Sequence, residues 1–448
     1  MRLRLVHAWT SLRSTYWFIP AIMAVAAGVL AIASVQADRY LAGAFVERLG
    51  WIYSGGPEGA RAVLSVVAGS VMSTAGVTFS ITITALALAS SQLGPRLLHT
   101  FMRDTGNQVV LGTFIATFVF CLLVLRTIRG ADEGAVFVPT LSVTAGVGLG
   151  LVSLGVLIYF IHHVAVSIQA PNVVADVGRE LAKQVERAFP AVDGADHAPE
   201  PVVLPADFEA RAAAVDSHAD GYVQALDEGA LVRIAERTGM LLRVEARPGQ
   251  FVAEGSALVR AWPPESMDAD VERAIRRHFV LGTQRTSEQD VEFAVDQLVE
   301  VAVRAMSPAI NDPFTAVACL DWLQAGLCRA ARGRTPRPYR TSVDGRVCLV
   351  YRAGYTFTGL IDAAFNQVRQ SSARSPAVML RLLETIEDVV RCTGGERDEV
   401  ETLLRHARMS HRAAVESGVD PADRADLDER FRQVLRTCGA PVPPELQA

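Results

Sequence analysis

The chain contains almost no lysine. Of its 43 basic residues only Lys183 is a lysine, and the others are arginines. Schiff-base or biotinyl-lysine chemistry would therefore have a single side chain available. The net charge of −5 argues against a broad nucleic-acid surface, which is normally strongly basic. Walker A, GxGxxG, HExxH and GxSxG motifs are also absent. We therefore expect no catalytic residue, no cofactor and no nucleic-acid partner.

Cysteine is scarce and scattered. None of the six cysteines forms a CxxC pair, and Cys121 lies within an apolar run. This spacing indicates neither a disulfide framework nor a zinc site, and no other metal site is expected. Scattered single cysteines are typical of proteins exposed to a reducing cytosol.

Charge is absent from one long stretch, residues 62–91. It exceeds the roughly 20 residues that cross a bilayer as a helix. Small or hydroxylated residues recur there every three or four positions, which places them on one helical face. This stripe comprises Ser65, Gly69, Ser73, Gly76, Ser80, Thr84, Ala87 and Ser91. Such a face either packs closely on a neighbouring helix or lines water, and the pattern leaves both open.

Four apolar runs predict four membrane spans, at roughly residues 16–35, 62–91, 109–125 and 138–161. Arg2, Arg4 and Arg13 precede the first span, and Arg96 and Arg103 follow the second. The positive-inside rule then places both termini in the cytoplasm. A three-span arrangement would leave one good apolar run in solution.

The second half of the chain changes character. Apolar residues every four positions over residues 173–189 predict an amphipathic helix, and a Pro- and Asp-rich linker follows. Residues 218–262 are predicted to be β-like. Within them, residues 241–262 show strand alternation and a Pro-Gly turn, and they resemble half of a barrel-sandwich or lipoyl-like module. Because no lysine lies there, a scaffold is favoured over a carrier. Residues 341–361 predict a further hairpin around Asp344-Gly345, and the rest from residue 267 is predicted to be helical.

The predicted fold is thus a four-helix membrane domain followed by an α+β cytoplasmic region with a barrel-like β module and an all-helical domain. The predicted boundaries are residues 1–168 for the membrane domain and 169–200 for the amphipathic helix and linker. The β module then covers residues 201–265, and the helical domain covers residues 266–448.

The densest polar cluster lies in residues 281–317. Thr286 or Ser287 is predicted to cap the following helix. Glu292, Asp296 and Glu300 then share one helical face with Arg304. Their carboxylates could bind a cation, but an ion-paired face is the more common arrangement. After this helix, Asp312 fits an N-cap and Pro313 fits the first helical position, while a polar ligand-binding or subunit-binding turn is the alternative. The ligand or interface candidates are Arg285, Glu288, Asp296, Ser307, Asn311, Asp312 and Thr315.

Two further features remain open. Six arginines crowd residues 329–346 and could contact anionic lipid or a phosphorylated ligand, or simply be solvated. His162 and His163 stand at the end of the fourth span and could sense pH, although an interfacial role is favoured because adjacent helical residues point in different directions.

Two segments, TFSITITALALASSQLGPRLL and RTSEQDVEFAVDQLVEVAVRAMSPAINDPFTAV, resemble signature segments of a large family of bacterial predicted membrane proteins with a domain of unknown function. The resemblance implies a membrane location and this architecture, and it transfers no activity. The stripe and the large cytoplasmic region predict a homo-oligomeric channel or transport protein. The alternative is a membrane-anchored sensor or scaffold that binds a ligand or partner. An enzyme is the least favoured reading.

Overall fold

The computed structural model describes residues 15, 17–41, 53, 55–94, 104–131, 135–190, 202–395 and 397–446. The chain divides into two compact units, Met1–Gln169 and Ala170–Ala448. The arginines and histidine that carry the orientation prediction (Arg2, Arg4, Arg13, Arg96, His99 and Arg103) lie outside the described residues, as does most of the predicted linker.

The first unit is built from four long helices: α1 (Phe18–Leu41), α2 (Pro57–Leu93), α3 (Thr105–Leu125) and α4 (Thr140–Ser167). Each of them is long and apolar enough to cross a membrane, which confirms the four predicted apolar helices. At 37 residues, α2 is about 55 Å long, well beyond the hydrocarbon thickness of roughly 30 Å. Gly94 caps its C-terminus with φ 120° and donates its N–H to the carbonyl of Ser90.

Helix α3 is the centre of this unit. Half of its apolar window is buried, against 22–28% for the other three helices, and it packs against each of them. Phe120, Cys121 and Val124 of α3 form one core cluster with residues of the neighbouring helices, including Ala31 and Leu64. A helix that is buried on several faces needs no polar side, which fits the unbroken apolar run of α3.

Asp38 fastens the start of α4 from a different helix. Its carboxylate accepts hydrogen bonds from the backbone N–H groups of Leu141 (2.9 Å) and Ser142 (3.0 Å) and from the Ser142 hydroxyl (2.6 Å). The N-cap of α4, Pro139, makes no side-chain cap hydrogen bond, so the buried Asp38 satisfies donors that would otherwise be unpaired. A hydrogen bond of 3.0 Å between Thr117 and Ser153 joins α3 to α4 deeper in the unit.

At the other end of α4, His163 is held by two groups. Its Nε2 lies 2.6 Å from Oδ2 of Asp104, which also caps α3 through the N–H of Gly106. Its ring stacks on Tyr159 with the centroids 5.3 Å apart. Sequence reasoning singled out this histidine but not its carboxylate partner, which lies 59 residues away in the chain.

The second unit contains ten α-helices and eight strands among the described residues. The helices are α5 (Ala170–Ala188), α6 (Phe208–Arg211), α7 (Glu228–Thr238), α8 (Ala269–Arg276), α9 (Val291–Ala305), α10 (Pro313–Arg332), α11 (Phe357–Ser372), α12 (Pro376–Cys392), α13 (Arg397–Glu416) and α14 (Pro421–Thr437). The strands are β1 (Ala213–Asp216), β2 (Gly221–Leu226), β3 (Leu241–Val244), β4 (Phe251–Val252), β5 (Ala257–Trp262), β6 (Phe279–Gly282), β7 (Tyr339–Thr341) and β8 (Val347–Tyr351).

The strands form two sheets, with orders β1-β5-β3-β8-β7 and β4-β2-β6. Strand β3 pairs antiparallel with β5 and parallel with β8, in the register Leu242 to Leu349. The predicted hairpin around Asp344-Gly345 is present as β7 and β8. Because β2 and β3 belong to separate sheets, and β6, β7 and β8 come from beyond residue 265, the barrel-like module is not confirmed. The observed feature is a small sheet-containing region whose shared core includes Leu242, Val259 and Leu349.

Three local predictions are wrong. Residues 228–238 form helix α7 inside the stretch expected to be extended. Asp227 caps that helix and the left-handed Gly239 ends it. The helix predicted over residues 268–282 ends at Arg276, and Phe279–Gly282 is strand β6. Residues 357–361 begin helix α11 and are not extended. In each case a strong local cap or a strand partner decided the structure, and apolar periodicity over four to six residues could not show it.

The predicted amphipathic helix is α5, and its apolar face is buried against α9 and α10. At Gly178 an added Cβ would lie 2.3 Å from the ring of Trp322, so the absence of a side chain permits this close approach. Two residues, Ile168 and Gln169, join α5 to the membrane helix α4.

Helices α11 to α14 pack against one another in the last part of the unit. His406 of α13 is fully buried, its Nε2 lies 2.7 Å from Oδ1 of Asp362, and its ring meets Phe365 edge-on. Burial lowers the pKa of His406 below its ordinary value, although Asp362 opposes this effect. The neutral imidazole is therefore favoured in the folded chain.

Replacing Asp38 with Ala should destabilise the membrane unit by roughly 1–3 kcal/mol, because three donors at the start of α4 lose their acceptor. Thermal unfolding of the full chain in mild detergent measures the loss. Ser34→Ala is the control, since Ser34 contacts only the Ser142 hydroxyl in this group. Equal melting temperatures for both variants would contradict the capping role.

The stability of the full chain should fall between pH 7.5 and pH 5.5. A histidine whose folded pKa lies below its unfolded value of 6.5 stabilises the fold above that pH and loses this contribution as the pH falls. We expect His406→Gln to reduce the difference between the melting temperatures at the two pH values. His218→Gln, at an exposed position, should leave the difference unchanged, and a similar reduction in both variants would refute the assignment.

Candidate functional site

The stripe of α2 lies on the outside of the membrane unit. Each of its eight residues, from Ser65 to Ser91, is exposed. The buried residues of α2 include Leu64, Val71 and Ala75, which lie on roughly the opposite side of the helix at about 100° per residue. A Cβ added at Gly69 or Gly76 would meet nothing within 4 Å. The stripe therefore makes no packing contact with the described helices of its own chain.

The stripe hydroxyls donate to the helix backbone. Ser73 bonds the carbonyl of Gly69 at 2.9 Å, Ser80 that of Gly76 at 3.0 Å, and Thr84 that of Ser80 at 2.9 Å. Ser91 bonds the carbonyl of Leu88 at 2.8 Å. Each of these hydroxyls has used its only proton, while its oxygen lone pairs remain available as acceptors. Such a surface tolerates hydrocarbon, another helix or water.

The second group of candidates centres on Arg285, which holds two aspartates. Its Nε and Nη2 lie 2.8 Å and 2.7 Å from Oδ2 of Asp290, and its Nη1 lies 2.7 Å from Oδ2 of Asp296. Asp290 is fully buried and caps α9 by accepting the N–H of Phe293. The prediction that Thr286 or Ser287 caps this helix is wrong, because the chain turns into the helix only at Asp290.

The electrostatics of this group are those of a buried ion pair. Burial alone would lower the pKa of Arg285, but its bonds and charge interactions with Asp290 and Asp296 raise it above the ordinary value. Burial raises the pKa of Asp290 against the opposing effect of Arg285. The geometry supports the ionised pair, since both guanidinium nitrogens that face Asp290 are within 2.8 Å.

A second arginine lies beside this pair. Arg247 forms a two-pronged ion pair with Glu292, with Nη2 2.8 Å from both carboxylate oxygens. Its guanidinium lies 4.1 Å from the ring centroid of Tyr355, and the Tyr355 hydroxyl is within 3.0 Å of the carbonyls of Pro248 and Gln289. Together these contacts clamp the turn after β3 onto the start of α9. They contain no nucleophile–base arrangement.

The carboxylates along α9 are ion-paired, as the more common arrangement predicted. Glu292 bonds Arg247, Asp296 bonds Arg285, and Glu300 lies 3.5 Å from Arg304. Among the described residues no three His, Cys, Asp or Glu side chains are grouped so as to hold a metal ion. The cation-binding alternative for this face has no geometric support.

The turn between α9 and α10 has the predicted cap. Asp312 accepts the N–H of Thr315 at 3.1 Å and the Thr315 hydroxyl at 2.5 Å. Pro313 occupies the first turn of α10. Asn311 has φ 49°, and its N–H bonds the carbonyl of Ser307 at 2.9 Å. The alternative, a turn that binds a ligand or another subunit, is supported here by two exposed apolar side chains, Ile310 and the 88% exposed Phe314.

The structure brings only some of the predicted ligand or interface residues into contact with one another. Arg285 and Asp296 meet directly, while Ser307, Asn311, Asp312 and Thr315 form the separate turn. Glu288 lies apart from both groups and lines a cavity of about 420 Å³. Sequence reasoning missed Arg247 and Tyr355, which are 108 positions apart and share no local motif. It also missed Gln289, whose side-chain amide bonds both the N–H and the carbonyl of Leu226.

Most of the chain, including these groups, matches a known protein family. Residues 13–388 match the family described as predicted membrane protein DUF2254. The chain belongs to this family. The match includes the stripe of α2, the Arg285 group and the turn before α10, and it ends within α12. The resemblance inferred from the two signature segments is therefore confirmed.

Relatives that align with nearly the whole of this chain occur in mycobacteria. Uncharacterized protein Mb1321c of Mycobacterium bovis and uncharacterized protein Rv1290c of Mycobacterium tuberculosis are each 31% identical to this chain over 443 residues. The alignment covers 97% of this chain and 83% of each relative. No solved structure matches the chain.

Gly249 provides a sharp test of the Arg285 group. It has φ +91°, and an added Cβ would lie 2.2 Å from Oδ2 of Asp290. Gly249→Ala should displace Asp290 from Arg285 and destabilise the fold by roughly 3 kcal/mol or more, since a buried charge loses its partner. Thermal unfolding of the full chain measures the effect.

The matched control is Gly255→Ala. Gly255 has a similar φ of +80°, but nothing lies within 4 Å of an added Cβ. Only the backbone strain of about 1–2 kcal/mol should therefore appear. Equal destabilisation by the two substitutions would show that contact with Asp290 contributes nothing.

Proposed function

We propose that the chain is a homo-oligomeric channel or transport protein of the bacterial inner membrane, and that it catalyses no chemical reaction. In this proposal α2 lines or flanks a central pathway, and the second unit gates or assembles the oligomer. Both termini lie in the cytoplasm, consistent with the arginines that flank the apolar runs.

The observation that carries the proposal is the exposure of the α2 stripe. Small residues on a membrane helix let another helix approach closely, yet no described helix of the same chain covers Gly69, Gly76 or their neighbours. A second copy of the chain would present the same stripe, so a closed ring of subunits would bring these faces to a shared axis. Larger apolar side chains, such as Ile81 and Phe79, are exposed on either side of the stripe and suit contact with lipid.

The hydroxyls of Ser73, Ser80 and Thr84 suit a water-filled pathway. Because each donates its proton to the backbone, each presents oxygen lone pairs outward to water or a passing ion. The stripe carries no charged side chain, so the pathway would be weakly selective or would be gated by a constriction. The same satisfied hydroxyls also fit dry helix packing, and the experiment below separates these two roles.

A second candidate function is a membrane-anchored sensor or scaffold. The cavity that Glu288 lines favours it, because the lining side chains include Arg187, Arg247, Arg337 and Arg340. A cavity of this size lies within the range of small-molecule sites. Chain continuity from α4 to α5 connects this unit directly to the last membrane helix.

Purified full-length chain in liposomes should conduct or transport ions, measured as flux under voltage, pH steps or tension. Ser80→Leu and Thr84→Leu should change the flux several-fold, because a larger apolar side chain would replace a hydroxyl in the pathway. Ile81→Leu is the control, since Ile81 is exposed but points about 100° away from Ser80 around the helix.

The subunit number, measured by native mass spectrometry on the same samples, separates the two roles of the stripe. Altered flux with an unchanged subunit number supports a wet stripe. Unaltered flux in both stripe variants would place the stripe in a packing interface, and absence of flux from the wild type under every condition would exclude the channel.

A further inference from the structure

The cavity in the second unit brings together four features that are far apart in the sequence. Arg187 comes from the end of the amphipathic helix α5, and Arg247 comes from the turn after β3. Glu288 belongs to the family signature segment, while Arg337 and Arg340 belong to the basic stretch before and within β7. Tyr351 and Tyr355 also line the cavity, whose volume is about 420 Å³.

The charges that line this cavity do not balance. Four arginines face two glutamates, Glu228 and Glu288, and Glu292 pairs with Arg247 from beside the lining, so this group of side chains carries a net charge of +1 (four minus three) at neutral pH. Arg340 places its Nε 2.7 Å from Glu228, and the Tyr351 hydroxyl donates to the same carboxylate at 2.5 Å. Glu228 is thus already occupied by two donors from β7 and β8.

Arg247 lines the cavity and carries one buried N–H that lacks an acceptor in the described part of the chain. Its Nη2 is bound to Glu292, but its Nε is buried and has no hydrogen-bond partner among the described residues. A buried N–H without an acceptor is unfavourable by roughly 1–3 kcal/mol. An acceptor oxygen that entered the cavity would relieve that penalty.

Arg187 is the most available cation of the set. It is exposed where α5 ends, it lines the cavity, and no described residue forms an ion pair or hydrogen bond with its side chain. An arginine that borders a cavity without a counter-charge favours an anion there.

The class of ligand that would suit this cavity follows from these contacts. Guanidinium groups bind phosphate and carboxylate oxygens through paired hydrogen bonds. A phosphate monoester carries about −1.5 to −2 charge at pH 7 and presents three strong acceptor oxygens, so it can accept hydrogen bonds from Arg187 and Arg247 at the same time. The volume left beyond one phosphate accommodates a ring system, and the guanidinium planes and tyrosines provide flat surfaces for it.

We propose that this cavity binds a phosphate monoester of about mononucleotide size. The proposal extends the sensor function above, but it concerns binding alone, so failure of the transport proposal would leave it intact. The phosphate lies against Arg187 and the Nε of Arg247, and the remainder of the ligand lies toward Tyr351 and Tyr355.

Calorimetric titration of the full chain in phosphatidylcholine nanodiscs tests the proposal, with AMP and inorganic phosphate as the probes. We expect AMP to bind with a Kd below millimolar, and adenosine, which lacks the phosphate, to bind at least about tenfold more weakly. Arg187→Gln should weaken AMP binding about tenfold or more, because it removes the available cation without leaving a carboxylate unpaired.

Arg179→Gln is the matched control. Arg179 lies on the same helix and is exposed, and its ion pair with Asp176 is away from the cavity lining, so AMP binding should not change. A second variant, Arg187→Glu, reverses the charge at the same position and should weaken AMP binding further. Melting temperatures of all variants establish that they fold.

Three results would overturn the proposal. The first is that neither AMP nor inorganic phosphate binds at millimolar concentration. The second is that adenosine binds as tightly as AMP. The third is that Arg187→Gln and Arg187→Glu both bind AMP like the wild type. Nanodiscs that contain phosphatidic acid identify the source of the phosphate. Weaker AMP binding in these nanodiscs for the wild type, but not for Arg187→Gln, supports a lipid headgroup, and unchanged binding supports a soluble ligand.

Discussion

The hydroxyl-to-carbonyl hydrogen bonds along α2 are the interaction on which the membrane unit depends. A helix in hydrocarbon must satisfy its polar groups internally, and Ser73, Ser80 and Thr84 do so with carbonyls one turn earlier. The helix can therefore carry a polar stripe on its outer face without a partner in the same chain. Its other face, with Leu64 and Ala75, is then free to pack on the rest of the unit.

Helix α3 lies at the centre of that packing. Two carboxylates of the unit, Asp38 and Asp104, are each placed where hydrogen-bond donors surround them. Asp38 is buried because three donors at the start of α4 point at its carboxylate, and Asp104 caps α3 while it meets His163. Both carboxylates lie at helix ends, where unpaired backbone groups are concentrated. The middle of the unit uses neutral pairs such as Thr117 and Ser153.

Sequence patterns predicted the elements that are long and periodic. The four membrane helices, the amphipathic α5 and the Asp312 cap each have a signal within one segment. The sheet arrangement and the Arg285 group could be predicted only in part, because they join distant segments: β3 pairs with β8, and Arg247 meets Tyr355. Cys328 and Cys392 likewise appear unrelated in the sequence, yet their sulfurs lie 2.6 Å apart on α10 and α12. Composition and periodicity carry no information on such pairings.

The Arg285 group and the arginine-lined cavity both include residues of the turn after β3. The contacts of each arginine distinguish a structural role from a ligand-binding role. Asp290 and Asp296 occupy all three nitrogens of Arg285, so Arg285 has little capacity left for a ligand. Glu292 occupies only Nη2 of Arg247 and leaves its Nε without a partner among the described residues. Arg285 holds Asp290 against Gly249 and thereby sets the position of Arg247, two residues earlier. The cavity is consequently rigid on the side of α9. Its other side is the C-terminal end of α5, where Arg187 is exposed and keeps its guanidinium available for an anion.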